Sequence, residues 1–184
     1  MPSELPSSLQ LPVLLIAGMV IGVFINWAIY SWAMFLKRPI SPWMTPAAEA
    51  GPRFWTDRIP IFGWLGRRRD SELFGAHFWV RPMLIELVCL LGVPFFYHWL
   101  VNGGLTSQAS LAGDWESICG VWFYAYGILL VLICIGTFID FDERTIPDEV
   151  TVTGTIIALL FAGLVPAFGL PVLERGGALP VLQA

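Results

Sequence analysis

Four stretches of the chain are apolar and long enough to cross a lipid bilayer. They cover residues 11–36, 82–101, 117–139 and 150–173, and the first of them contains no charged side chain. A helix that crosses about 30 Å of hydrocarbon needs about 20 residues, so each stretch is sufficient for one span. The sequence therefore predicts an all-α integral membrane protein, a single membrane domain of 184 residues with four transmembrane helices.

The composition supports this interpretation and argues against a metal site. Hydrophobic residues make up 57% of the chain and charged residues 13%, whereas a soluble domain has roughly 45–50% and about 25%. Cys89, Cys119 and Cys134 stand singly in apolar stretches, so they predict neither a disulfide framework nor a CxxC metal site. His77 has no second ligand at a suitable spacing. We therefore predict no bound metal.

The lysine and arginine residues predict the orientation of the chain in the membrane. Eight of the ten lie in residues 37–81, here called the first loop, and residues 1–10 and 102–116 contain none. Positively charged loops stay on the cytoplasmic side of a membrane. We therefore expect the first loop and the acidic loop 140–149 in the cytoplasm, and the N-terminus outside.

The first loop is too apolar to be a free linker. Its second half continues into the next span as DRIPIFGWLGRRRDSELFGAHFWVRPMLIEL, residues 57–87. We expect its apolar side chains to fold back onto the membrane surface, and Arg67, Arg68 and Arg69 to face lipid headgroups or a partner. The net charge of −4 and the lack of an interleaved basic surface argue against nucleic-acid binding. Membrane lipid is therefore a predicted partner of this loop.

Polar side chains also occur inside the predicted spans. Gly18, Gly22 and Asn26 follow one another at four-residue spacing, which places them on one helical stripe suited to close helix packing. Glu86 lies about one turn into the second span, where a charged side chain is costly unless it faces the helix bundle and finds a hydrogen-bond donor. We expect Glu86 to do so, with Arg81 as the candidate donor.

Residues 136–151, GTFIDFDERTIPDEVT, concentrate acidic side chains between two apolar stretches. They contain five of the fourteen acidic residues, among them Asp140, Asp142 and Asp148. Three structural interpretations compete with a functional one: a solvated loop, caps for the helix dipoles, or a cation site. The calcium-loop pattern fails, because the glycine and the final glutamate of such loops are missing. The spacing alone therefore leaves the role of these acids open.

The same segment resembles the first aspartate motif of type IV prepilin peptidases, a family of membrane aspartic proteases. The stretch FIDFDERTIPDEVT, residues 138–151, is similar to the family's xxD-x-D…PD-x-x-T pattern. GVFINWAIY, residues 22–30, is similar to the first-helix motif G-S-F-L-N-V-x-I-x. DRIPIFGWL…FWVRPMLIEL resembles the cytoplasmic segment N-I-P…S-W-L…R-Y-P-x-x-E-L. The three stretches occur in the family's order, and the likeness extends over residues 18–164.

The resemblance implies roles for individual residues. Asp140 matches the first catalytic aspartate, Asp142 and Asp148 match the accompanying acids, Glu86 matches the membrane glutamate, and Asn26 lies in the first-helix motif. The implied reaction is cleavage of the basic leader of pilin-like precursors, of type IV pili or type II secretion, at the cytoplasmic face of the bacterial inner membrane. Many members also methylate the new N-terminus with S-adenosylmethionine, which would be the cofactor if this chain retains that activity.

The sequence departs from the family pattern in two ways. The first loop has no CxxC pairs, so no zinc is expected, aromatic side chains must hold the loop, and methyltransferase activity stays open. The sequence also has no G-x-G-D motif, which carries the family's second catalytic aspartate. We expect the chain to hold one half of the catalytic bundle, as a truncated product, half of a split enzyme or a degenerate member. A second chain could supply the G-x-G-D half.

Two alternatives to a protease follow from the same residues. A non-catalytic scaffold or assembly factor would hold pilin-like proteins without cutting them, and Asp140→Asn would then leave a cellular phenotype unchanged. A transporter fragment would use Glu86 and Asp140 as a proton relay, which requires both acids to face one aqueous cavity.

Overall fold

The computed structural model describes residues 6–34, 39–102 and 115–164, and the structural statements that follow concern this part of the chain. Its regular structure is helical, with six α-helices and two short 3-10 turns at Trp55–Arg58 and Arg67–Asp70. The α-helices are α1 (Ser7–Trp32), α2 (Phe62–Gly66), α3 (Ser71–Phe74), α4 (Val80–Asn102), α5 (Trp115–Glu143) and α6 (Asp148–Leu164).

Three of these helices are long and apolar enough to cross a membrane. The spans are Ser8–Trp32, Val80–Leu100 and Trp122–Glu143, with mean hydropathies of 2.3, 1.7 and 2.1. Their outward side chains are mostly large and apolar, as expected where lipid replaces water. The all-α membrane class is therefore confirmed. Helix α6 is described over 17 residues, and the rest of the predicted fourth span, up to residue 173, lies outside the described residues.

Helices α1 and α4 form the most extensive helix pair of the described chain. A Cβ atom at Gly18 would lie 2.4 Å from the backbone oxygen of Cys89, and one at Gly22 would lie 2.8 Å from Cα of Glu86. Because any side chain at these positions would collide with backbone, the two helices approach this closely only through glycine. The predicted packing stripe of α1 is confirmed.

Helices α5 and α6 pack along the same bundle. Ile135 and Ile139 of α5, 0% and 1% exposed, enter a core cluster with isoleucines of α1 and α4. Helix α6 rests on α5, where a Cβ at Gly136 would make ordinary contact with Val150 at 3.5 Å. Helix α5 continues to Glu143, so the first part of the predicted loop 140–149 is helical.

The first loop is ordered around a buried tryptophan and a buried arginine. Trp64 is 1% exposed and belongs to the core cluster, with Phe74 and Phe78 packed against that cluster. Arg67 is fully buried, donates to the Ile40 carbonyl, and lies over the rings of Trp64 and Phe78 at 5.3 and 5.6 Å. The expectation that aromatic side chains hold the loop is confirmed.

The expected surface position of the three arginines is wrong for Arg67, which is fully buried. Arg67 pairs with the buried Asp70 at 3.1 Å, and Arg69 donates to the buried Asp57 at 2.5 Å. The guanidinium of Arg68 lies 4.0 Å from the centre of the Trp79 ring. Burial, together with the positive charge of Arg53, lowers the pKa of Arg67 to about 10, so the side chain stays charged at neutral pH. Two of the three arginines thus bind acids inside the loop.

Candidate functional site

Three acidic residues lie on either side of the short link between α5 and α6. They are Asp140, Asp142 and Asp148, and they are here called the acidic helix end. Helix α5 ends at Glu143, and Arg144 then takes a positive φ of 56° while its N–H donates to the Asp140 carbonyl at 2.7 Å. This left-handed residue stops the helix and turns the chain. Asp148 opens α6, where the helix dipole favours a negative side chain.

Asp140 is exposed on the outward surface of α5, whereas its neighbour Ile139 is buried. In the described part of the chain its carboxylate makes no hydrogen bond or ion pair with another side chain. Asp140 continues an exposed line along the helix, at alternating steps of four and three residues, that comprises Tyr126, Leu130, Ile133 and Thr137. Residues at these steps share one helix face, so the carboxylate lies at the end of an apolar face.

Asp142 lies on a different side of α5, and its carboxylate is bound by Arg81. Both of its carboxylate oxygens accept from Arg81 Nη1 at 2.8 Å. Arg81 also donates to the Phe138 carbonyl at 3.3 Å, and its guanidinium lies 4.5 Å from the centre of the Phe138 ring. The expected pairing of Arg81 with Glu86 is therefore wrong. Arg81 lies at the start of α4 and reaches across to α5 instead.

Glu86 is 2% exposed and is held by three hydrogen-bond donors. Oε1 accepts from Asn26 Nδ2 at 3.0 Å and from Trp64 Nε1 at 2.9 Å, and Oε2 accepts from the Ile61 N–H at 2.5 Å. These four residues are here called the Glu86 cluster. Among the described residues no arginine or lysine pairs with this carboxylate. The prediction that Glu86 faces the bundle and finds donors is confirmed, with other donors than expected.

Asn26 joins the Glu86 cluster to the backbone of α4. Its Nδ2 also donates to the Pro82 carbonyl at 2.9 Å, while its buried Oδ1 has no hydrogen-bond partner in the described chain. A backbone carbonyl has two acceptor lone pairs, so the Pro82 carbonyl can accept from Asn26 as well as from within its own helix. Asn26 and Glu86 thus belong to one structural cluster that ties α1, α4 and the first loop together.

A cleft of about 310 Å³ opens beside the acidic helix end. Its polar lining is His77, Arg81, Asp142 and Glu143, and its apolar wall includes Tyr30 and Phe78. Glu143 also accepts from the Met34 N–H at 2.8 Å, which ties the end of α1 to α5. Neither Glu86 nor Asp140 lines this cleft.

Sequence reasoning missed this cleft. Its residues come from the end of α1, the first loop, α4 and α5, and no local motif joins them. The sequence indicated the cleft only through two adjacent acids, Asp142 and Glu143, and the arginine at the start of α4. It gave no reason to expect that these residues lie together.

Asp140 and Asp142 do not form the carboxylate pair of an aspartic protease. Such a protease needs two acids that share one proton, and Asp142 is already bound to Arg81. Among the described residues no group of three His, Cys, Asp or Glu side chains could hold a metal ion. The arrangement offers exposed carboxylates, Asp140 among them, at the end of α5 and the start of α6.

Comparison with known proteins adds no family assignment. No protein-family model, no curated protein and no solved structure matches the chain. What the sequence and the fold establish together is therefore the class: an all-helical membrane protein with three helices long and apolar enough to span the bilayer.

Proposed function

We propose that this chain is a prepilin-peptidase-like membrane aspartic endopeptidase that contributes one catalytic carboxylate, Asp140. The observation that carries the proposal is an exposed carboxylate at the end of a predicted span that no described side chain binds, within a segment that resembles the family's first aspartate motif. Its substrates would be pilin-like precursors, cut at the cytoplasmic face of a bacterial inner membrane.

The chemistry requires a second acid from outside the 184 residues. In an aspartic protease one carboxylate accepts a proton from the attacking water and the other, protonated, polarises the scissile carbonyl. The sequence contains no G-x-G-D motif. Asp142 is a poor substitute, because both of its oxygens already accept from Arg81. Asp140 can be approached by another helix along the exposed line that starts at Tyr126.

The proposed topology supports this assignment. With the arginine-rich first loop in the cytoplasm and the N-terminus outside, three spans bring the end of α5 back to the cytoplasmic face. A fourth span over residues 150–173 would then return the chain to the outside. Asp140 would meet the precursor on the side where its leader is held. No zinc is expected, and any methyl transfer would use S-adenosylmethionine.

The test is a cleavage assay with the purified chain in lipid vesicles. A model prepilin is incubated with the chain alone and with the chain plus a membrane segment that carries G-x-G-D, and processing is followed by mass spectrometry. We expect cleavage only in the combined sample, and its loss with Asp140→Asn. Glu149→Gln is the matched control, because Glu149 is an exposed acid of the same segment that the resemblance does not mark as catalytic.

Two outcomes would contradict the proposal. Cleavage by the chain alone, abolished by Asp140→Asn, would show that the second acid lies within the chain. Cleavage that survives Asp140→Asn would remove Asp140 from the reaction.

A scaffold for pilin-like proteins is the second candidate. It is favoured by one observation: Asp142, the other acid of the motif on α5, is already bound to Arg81. A scaffold would bind the model prepilin in vesicles with equal affinity before and after Asp140→Asn, and would give no cleavage with any added segment. The same assay therefore separates the two functions.

A further inference from the structure

The segment Ile59–Gly66 of the first loop is docked against the side of α4. The Ile61 N–H and the Trp64 indole both donate to Glu86, at 2.5 and 2.9 Å. Because Glu86 belongs to a candidate membrane span, these two bonds fix the level of the segment along that span.

The ends of two separate spans give the same depth for the Glu86 cluster. Glu86 comes six residues after Val80, where its span begins, and Asn26 comes six residues before Trp32, where the first span ends. At 1.5 Å per residue each lies about 9 Å inside the end of its span. Side chains on a helix tilt toward its N-terminus, so the Glu86 carboxylate lies between its own level and that of Val80. The Ile61 N–H is therefore inside the ends of the spans.

The first N–H groups of this segment are satisfied within the protein. The four N–H groups between Ile59 and Gly63 have acceptors within the protein: Thr56 O at 3.1 Å, Glu86 Oε2 at 2.5 Å, Pro60 O at 2.7 Å and Ile59 O at 2.8 Å. Pro60 has no N–H. Irregular backbone at membrane depth is tolerated only when its polar groups are satisfied in this way.

Glu86 also stabilises an uncommon turn. Ile61 has φ 65° and ψ −60°, and the Phe62 N–H donates back to the Pro60 carbonyl, which together define a strained γ-turn. A β-branched residue rarely adopts a positive φ. The bond from the Ile61 N–H to a buried carboxylate offsets this strain, and the turn directs the next side chain, Phe62, away from the protein.

The outward surface of the segment is apolar and is flanked by cations. Phe62 is 70% exposed, and Leu65 and Ile59 are 40% and 38% exposed. Arg58 and Arg68 are also exposed at its two ends. Apolar side chains with adjacent arginines are typical of segments that lie in the boundary between acyl chains and headgroups.

We propose that Ile59–Gly66 is an interfacial membrane anchor, with Phe62 and Leu65 inserted among the acyl chains and its depth set by Glu86. The occupant of this surface is the lipid bilayer itself. The inference rests on depth, backbone satisfaction and charge, and holds whether or not the chain is a protease.

The test is a depth measurement by spin labelling in vesicles. Single cysteines at Phe62, Leu84 and Glu72 are introduced into a chain whose native cysteines are replaced by alanine, and each nitroxide is exposed to oxygen and to a water-soluble nickel complex. Leu84 is an outward residue of α4 and reports lipid, while Glu72 is an exposed acid of α3 and reports water. We expect the Phe62→Cys label about 5–10 Å below the phosphate level, as for Leu84→Cys.

Either of two results would overturn the proposal. Nickel accessibility at position 62 equal to that at position 72 would place the segment in water, and an immobilised label shielded from both reagents would place it against protein. If the cysteine-free chain fails to fold, a benzophenone amino acid at position 62 of the otherwise native chain replaces the label. A lipid adduct on illumination is then the expected result, and a cross-link to protein, or no adduct, contradicts it.

Discussion

The Glu86 cluster and the acidic helix end both contain carboxylates near a membrane boundary, but their surroundings are opposite. Glu86 is buried and accepts three hydrogen bonds from three separate parts of the chain. Asp140 is exposed and accepts none from a described side chain. The first carboxylate is therefore part of the structure that holds the bundle together. The second contributes little to the fold and is available for binding or chemistry.

Structural acids and candidate functional acids in a membrane protein differ in whether their own chain supplies hydrogen-bond donors to them. A buried acid whose donors are all supplied by its own chain is explained by stability. The stability of the fold does not explain an acid at a helix end that has no donors. Asp140 is such an acid among the described residues, and it is also the residue that matches the catalytic aspartate of the motif. Substitutions of these acids test whether they are structural or functional, and the expected effects on stability decrease from Glu86→Ala to Asp140→Asn.

Glu86→Ala should cause the largest loss. It leaves the Trp64 indole and the Ile61 N–H without an acceptor and removes one of the two bonds from Asn26 Nδ2. Orphaned donors cost about 1–3 kcal/mol each, so we expect the free energy of unfolding to fall by about 4 kcal/mol. Unfolding in detergent micelles, followed by circular dichroism, measures the change. Glu49→Ala, an exposed acid of the first loop, should change stability by about 0.5 kcal/mol or less. Equal effects of the two changes would contradict a structural role for Glu86.

Gly18→Val should come next. The added side chain would collide with the Cys89 carbonyl and force α1 away from α4, which we expect to cost about 2–3 kcal/mol. Gly127→Val is the matched control, because nothing lies within 4 Å of a Cβ at Gly127. The same unfolding experiment compares both variants. A neutral Gly18→Val would mean that the two helices are not in this close contact.

Asp142→Asn should have a small effect. Its partner Arg81 and Asp142 itself keep 31% and 30% of their side-chain surface exposed, and ion pairs of this kind contribute about 0–1 kcal/mol. We therefore expect a loss of about 1 kcal/mol or less, which high salt reduces in the unaltered chain. A loss of stability as large as that of Glu86→Ala would show that Asp142, like Glu86, has a structural role.

Asp140→Asn should have the smallest effect on stability, about 0.5 kcal/mol or less, because no described side chain depends on this carboxylate. The same variant should nevertheless abolish prepilin processing in the combined sample of the cleavage assay. A clear loss of stability would show that Asp140 has a structural partner and would weaken its assignment as a catalytic group.

Local spacing was sufficient to predict several features of the fold. The lengths of the apolar stretches predicted four spans, of which the described residues show three, and the four-residue spacing of Gly18, Gly22 and Asn26 predicted the face on which α1 meets α4. These predictions succeeded because helix periodicity and membrane thickness act on neighbouring residues. Burial of Glu86 also followed, since a charged side chain in a span must turn inward.

Pairing between distant residues could not be predicted in the same way. Arg81 was expected to bind Glu86, five residues along the same helix, and instead binds Asp142 of another helix. Arg67 was expected at the membrane surface and instead is buried beside Asp70 and two aromatic rings. In both cases the outcome depends on which helices are neighbours, and composition carries no such information.

The sequence by itself determined the membrane class, the predicted orientation and the position of the acidic segment, because these follow from hydrophobicity and charge along the chain. Only the tertiary structure decided which acids are satisfied and which are left open. Glu86 found its donors because α1, α4 and the first loop converge on it. Asp140 is exposed on α5 and has no side-chain donor among the described residues, and a carboxylate's role is set by what surrounds it in space.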